Sequence, residues 1–336
     1  MPREDTREYF KLLPANDYEY DWRLALNFFR GLPRVTRRLL FGWAAPPPLR
    51  FLAHVSRGRV TLYIGATPDY AGAVRAAFAG AYPKVSLVPC GSPAAGWDKG
   101  VVTEFYARGG RYLPFRRLEG PPSVLSAVLT ALGAGRDTGV EALLDVCFRP
   151  FPSDEARRHA EAEAAKVAGL QAGGLWGEVV DALFSPALGG RGDRRDTAVK
   201  KYKQIRALEP SRLALAEEMR ARFLPQEPPF EATVRVVARG PTEKAGVRCV
   251  LDAAAAVGAM AHYNRLEKSG SHGLGDRVKV GAMGETLLLN GSELANLVVV
   301  PGPDSPVWPY MERDVARTVA PPTWLLDSGA IRDENV

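Results

Sequence analysis

Between Leu49 and Phe151 the apolar residues alternate between a two-residue period and a three-to-four-residue period, and this alternation restricts the possible folds more than any other feature of the chain. LRFLAHVS (49–56) and RVTLYIGA (59–66) are strand-like, whereas TPDYAGAVRAAFAGAYP sets Ala71, Val74 and Phe78 on one helical face. VSLVP follows, then VVTEFYARG after a Gly/Pro-rich loop. PPSVLSAVLTALG comes next, with Val124, Leu125, Val128 and Leu132 at helical spacing, and then EALLDVCFRPF. The order β-(β)-α-β-β-α-β is the signature of a split βαβ, ferredoxin-like module, a mixed antiparallel sheet with two helices on one face.

Past Phe151 the strand pattern stops. SDEARRHAEAEAAKVAGL is a helix that Ser153 should cap, with an acidic first turn suited to the helix dipole, and GLWGEVVDALF adds a second, short one. RDTAVKKYKQIRALEPSRLALAEEMRARFL is helical again, broken and restarted at Pro210 and Ser211. PPFEATVRVVARG then returns to a strand, TEKAGVRCVLDAAAAVGAMA is a helix capped by Thr242, RVKVGAMGETLLLNG is strand-like, and ELANL is a short helix that Ser292 should cap. The element order of Leu49–Pro89 recurs in Pro228–Leu289, which suggests an internal duplication. The expected organisation is α+β: a basic amphipathic N-terminal arm (1–48), a ferredoxin-like module (49–152), a helical insertion (153–224), a second ferredoxin-like module (225–302) and a Pro-rich C-terminal tail (303–336).

Composition agrees with a globular chain, since 46% of residues are hydrophobic and 24% charged. Cys90, Cys147 and Cys249 are odd in number and far apart, so neither a disulfide framework nor a cysteine zinc site is indicated. The N-terminus lacks an apolar h-region, and the most apolar candidate span, Trp22 to Trp43, is interrupted by five arginines and a proline. The expected location is the cytoplasm, at most peripheral on the inner face of the cell membrane.

Two basic stretches are candidate contact sites. In the arm, Gly31 and Pro33 should separate two short helices. There Trp22, Phe28, Phe29, Arg34, Arg37, Arg38 and Trp43 fit an anionic membrane surface or a partner, the arginines from Arg23 to Arg38 fit nucleic acid, and the bland alternative to both is a packed helix with a solvated face. The second stretch, from 191 to 206, gathers Arg191, Arg194, Arg195, Lys200, Lys201 and Lys203. These would meet phosphates or form a solvated helical face.

Catalytic patterns are missing from the sequence. No GK[ST] follows a glycine-rich loop, and VGAMGETLLL reads as a hairpin turn. His54, His159, His262 and His272 have no metal-ligand spacing, and no G-x-S-x-G elbow occurs. No catalytic residue, cofactor or metal is assigned, and the chain is not expected to be an enzyme.

YEYDWRLALNFFRGLPR, LLDVCFRPFPSDEARRHAEAEA, PPFEATVRVVARGPTEKAGVRCVLDA and NGSELANLVVVPGP, in that order, resemble the region upstream of the motor in conjugative-transfer and type IV secretion ATPases of the HerA/FtsK superfamily. The resemblance implies the non-motor half of such a system, with the chain ending about where the motor would begin. What it implies is docking: an assembly component of a bacterial conjugative DNA-transfer or type IV secretion apparatus that positions a separate or deleted ATPase motor. Implied partners are a HerA/FtsK-type motor or secretion-channel proteins, with a second copy of the chain, an anionic membrane surface and nucleic acid as further possibilities. The competing reading is a stand-alone nucleic-acid-binding protein using basic clusters 23–38 and 191–206.

Overall fold

The computed structural model describes residues 6–34, 37–39, 42–44, 46–93, 97, 100–120, 123–168, 210–269, 272–273 and 283–314. In chain order these form β1 (Glu8–Pro14), α1 (Arg23–Gly31), β2 (Arg37–Leu39), β3 (Gly42–Ala44), β4 (Leu49–Ser56), β5 (Arg59–Ala66), α2 (Pro68–Ala81), β6 (Val85–Cys90) and β7 (Val101–Ala107). They continue with α3 (Val124–Ala131), β8 (Glu141–Pro150), α4 (Ser153–Val167), α5 (Pro210–Ala221), β9 (Phe230–Arg239), α6 (Glu243–Val257), β10 (Leu266–Lys268), β11 (His272–Gly273), β12 (Leu287–Leu289) and α7 (Gly291–Ala295).

The fold is α+β. Ten strands make one antiparallel sheet in the order β10-β7-β9-β8-β4-β5-β1-β6, with β11 pairing β7 and β12 pairing β9. This order divides into two halves with the same permutation. The first half, β1-α1-β4-β5-α2-β6, is laid out β6-β1-β5-β4; the second, β7-α3-β8-β9-α6-β10, is laid out β10-β7-β9-β8, with α4 and α5 inserted between β8 and β9. The halves meet at the β4–β8 seam, paired from Leu49↔Phe148 to Val55↔Ala142.

Period-two alternation gives the sheet two unlike faces. Phe51, Ile64, Val146, Phe148, Val234 and Val236 point into the main core with α1, α2, α3, α6 and α7. The opposite face carries Tyr9, Arg50, Asp145 and Arg235, all essentially buried. Here a chain of charges crosses the seam. Arg50 donates from Nη1 to the Tyr9 hydroxyl (2.8 Å) and from Nε to Asp145 Oδ1 (2.8 Å). Arg235 Nη1 lies 3.8 Å from Asp145 Oδ2, and its Nε donates to Glu104 Oε2 (2.7 Å). Tyr9 reaches Arg50 by lying over Gly65, where a β-carbon would collide with the ring.

Local chemistry starts and stops the elements. The β4–β5 hairpin turns through Arg57 and Gly58, both at positive φ, the conformation that two-residue hairpin loops prefer. Ser123 caps α3 and Thr242 caps α6. Ser153 does not cap α4 as expected: it is already inside the helix, and its hydroxyl accepts from Arg34. The cap of α7 is Asn290 rather than Ser292, in a reciprocal capping box with Glu293.

The arm and tail differ from their expected form. Residues 8–14 of the arm supply β1, an interior strand, and α1 buries Ala25, Leu26, Phe28 and Phe29. Instead of a second helix the arm continues as the β2–β3 hairpin, because Leu32, ahead of Pro33, is already extended. The repeat also has other limits than Leu49–Pro89 and Pro228–Leu289: β7, α3 and β8 belong with β9, since β9 pairs both β7 and β8. In the tail, Val307, Trp308 and Met311 are buried. The GLWGEVVDALF segment lies outside the described residues.

The insertion packs by small residues. Ala156, Ala160, Ala164 and Ala168, spaced four apart on the helix, face Ala216, Met219 and Phe223 around α5. Just past α5, Arg222 joins the insertion to the second half. Its Nε donates to Glu293 Oε1 (2.9 Å), its Nη2 to Glu293 Oε2 (2.8 Å), and its Nη1 to the Arg111 carbonyl (3.0 Å). Glu293 also accepts from the backbone of Phe115 and Asn290, both at 2.9 Å. Both side chains are fully buried. Replacing Glu293 with Gln leaves the Arg222 charge buried without a counter-ion, so E293Q is expected to lose roughly 3–5 kcal/mol in urea unfolding. A loss under about 1 kcal/mol would mean that the pair does not hold the insertion.

Candidate functional site

The segment 303–314 docks where β1 and β5 diverge. Their pairing ends at Leu12↔Leu62, and beyond it the segment forms parallel bridges to Val60 through Met311 and to Ala15 through Asp314. The Glu312 amide donates to the Val60 carbonyl (2.9 Å) and the Asp314 amide to the Pro14 carbonyl (3.0 Å). Upstream, the Trp308 ring stacks on Tyr18 at 6.0 Å, and the Arg313 guanidinium lies 5.5 Å from the Trp308 ring centre.

Two carboxylates anchor this strap. Glu312 accepts from Lys11 Nζ (2.8 Å) and Thr61 Oγ1 (3.0 Å), and Asp314 accepts from Ser86 Oγ (2.7 Å). Partial burial works against the Glu312 carboxylate, but the hydrogen bonds from Lys11 and Thr61 and the Lys11 charge hold its pKa below the ordinary range. Lys11 is shifted up, chiefly by its hydrogen bond to Glu312. Burial pushes the nearby Cys90 thiol up, against the Lys11 charge, which makes it a poor nucleophile at neutral pH.

Next to it on the same sheet face, where His54 pairs with Thr61, a second polar group gathers. His54 and Trp97 meet edge to face at 5.7 Å, and the Arg239 guanidinium lies 4.7 Å from the Trp97 ring centre. Arg239 Nε donates to Glu141 Oε2 (2.6 Å) and Ser56 Oγ to Glu141 Oε1 (3.0 Å). Burial lowers the His54 pKa and Arg239 adds to this, with Glu141 opposing, so the imidazole is neutral at pH 7. Among the described residues no three His, Cys, Asp or Glu side chains are placed to hold a metal ion.

The chain matches no family model and no curated protein.

The basic arm is divided by the fold. Phe28 and Phe29 are 2% and 1% exposed and pack on Phe78, Phe148 and Phe230, so they are not available to lipid. Trp22 is half-buried against the core. Arg30 donates to the Gln226 carbonyl from Nε (3.0 Å) and Nη2 (2.9 Å), while exposed Arg34 bonds Ser153. The backbones of Arg37, Arg38 and Trp43 lie in the β2–β3 hairpin. Arg191, Arg194, Arg195, Lys200, Lys201 and Lys203 lie outside the described residues. Among the described residues no helix is long and apolar enough to cross a membrane.

Lys11, Glu312 and Asp314 are not evident in the sequence, because Lys11 and Glu312 lie 301 residues apart. The usable local signal was the alternation of YFKLL, which puts Tyr9, Lys11 and Leu13 on one face. The strap should be pH-bounded. The Glu312 contribution is present above its ordinary pKa of 4.5 and lost as pH falls through the lower folded value; the Lys11 contribution is present below 10.5 and lost as pH rises through the higher folded value. At neutral pH, Lys11→Met should weaken the strap by about 0.5–1 kcal/mol, given the partial exposure of the pair. Hydrogen exchange at the Glu312 and Asp314 amides reads this directly, and unchanged protection would count against the anchor.

Proposed function

We propose that this protein is a non-catalytic docking component of a bacterial conjugative DNA-transfer or type IV secretion apparatus. In this reading it works in the cytoplasm and positions a HerA/FtsK-type ATPase motor or a secretion-channel protein. It is built from two ferredoxin-like modules, a reading supported by the β-α-β-β-α-β order and shared strand permutation of the two halves.

The strap carries the docking reading. In the resembling ATPases the chain leads at about this point from the upstream region into the motor, and here residues 311–314 are tied to the first half by two backbone bonds and two carboxylates. Such a tether fixes the course of the chain up to Asp314, as a positioning component requires. The passages that carry the resemblance also contain residues essential to the packing: Phe230 and Arg235 from PPFEATVRV, and Glu293 from NGSELANL, are buried. The engagement of Arg30 and Arg34 with Gln226 and Ser153 favours docking over nucleic-acid binding by the arm.

Co-purification of the full chain with a HerA/FtsK-type motor or secretion-channel protein from the same cell tests the proposal. Retention is expected, with weaker retention for Lys11→Met combined with Thr61→Val. No association with either partner class, together with DNA binding that falls steeply with salt, would replace docking by the nucleic-acid reading.

A further inference from the structure

A cavity of about 680 Å³ opens between the second half and the insertion, and nothing in the docking reading uses it. Its walls are the 115–120 loop, Glu218 and Ala221 of α5, His262 and Asn296. The loop is held firmly. The Phe115 amide donates to Glu293 (2.9 Å), the Arg116 amide to the Met260 carbonyl (3.0 Å) and the Leu118 amide to the Ser292 carbonyl (3.0 Å). Asn296, 2% exposed, donates from Nδ2 to the Arg116 carbonyl (2.7 Å).

On this fixed loop stand Arg116 and Arg117, and neither has a carboxylate partner among the described residues. The surrounding arginines differ: Arg108 and Arg265 pair with Glu267, Arg111 and Arg149 with Glu231, and Arg222 with Glu293. On the opposite wall the Glu218 carboxylate is engaged by His262 Nε2 at 2.9 Å. Arg116 and Arg117 thus share the lining with the carboxylates of Glu119 and Glu218, of which exposed Glu119 has no partner among the described residues. Guanidinium groups on a rigid loop suit the forked oxygens of a phosphate. The volume lies within the range for ligands far larger than a free phosphate. Tyr263, next in sequence to the lining residue His262 and with its ring 4.4 Å from the His262 ring, is 39% exposed, and an exposed aromatic ring offers a flat apolar surface to a base.

We propose that this cavity binds a nucleotide, its phosphates on Arg116 and Arg117 and its base against Tyr263. The site is separate from the strap and does not depend on the docking reading.

Isothermal titration of the full chain with ADP, and separately with a single-stranded oligonucleotide of the same base, tests the assignment. Saturable ADP binding is expected, weakened at least about tenfold in the Arg116→Gln, Arg117→Gln double variant, as loss of charge-assisted hydrogen bonds implies. Glu119→Gln should tighten it, and Tyr263→Ala should weaken it. Arg108→Gln, outside the cavity, should leave it unchanged, and thermal melting checks that each variant is folded. No heat at millimolar ADP, ADP binding indifferent to both arginines, or binding confined to the oligonucleotide would overturn the proposal.

Discussion

The ion pair between Arg50 and Asp145 joins β4 to β8, the two strands at which the halves of the sheet meet. Both side chains are buried, so each charge has lost most of its water and depends on its partner. Burial works against the Arg50 charge, yet Asp145 and Tyr9 more than offset it, and the guanidinium pKa is raised. From Asp145 the chain of charges continues through Arg235 to Glu104, so that β1, β4, β8, β9 and β7 all contribute to one polar line. A slip of one residue at the seam would turn Asp145 into the apolar core and Leu144 or Val146 out of it. The pair therefore sets register as well as attachment, and both the strap on the first half and the insertion on the second depend on where the halves sit.

Much of this architecture is readable from local pattern. The two strands from Leu49 to Ala66, the face of Ala71, Val74 and Phe78 in α2, and the Thr242 start of α6 follow from apolar period and cap chemistry alone. Pairing is harder, because the pairing of β7 with β9 is decided by residues more than a hundred positions apart, for which period-two alternation carries no address. β1 was concealed by Lys11, which reads as a solvated charge until Glu312 is seen to meet it. At α7 the rule was right and the position was not. Asn290 and Glu293 form a capping box whose glutamate also neutralises Arg222, a second role that no local motif announces.

The arm shows why sites are less legible than folds. Phe28 and Phe29 beside arginines describe an amphipathic helix, and such a helix has the same sequence whether its apolar face meets lipid or a protein core. Here the apolar face meets Phe78, Phe148 and Phe230. The strap and the Arg116–Arg117 loop were hidden for a related reason: each gains its character across space, from a counter-ion for Glu312 and from the lack of one, among the described residues, for the two arginines.

A double-mutant cycle on Arg50 and Asp145, read by urea unfolding of the full chain, tests most directly whether this one pair holds the halves together. Each single replacement by alanine should cost roughly 3–5 kcal/mol, while the double variant should cost less than their sum by on the order of 2 kcal/mol or more. Costs that simply add to within about 0.5 kcal/mol would contradict the account. The seam would then be held by its backbone ladder and apolar face alone.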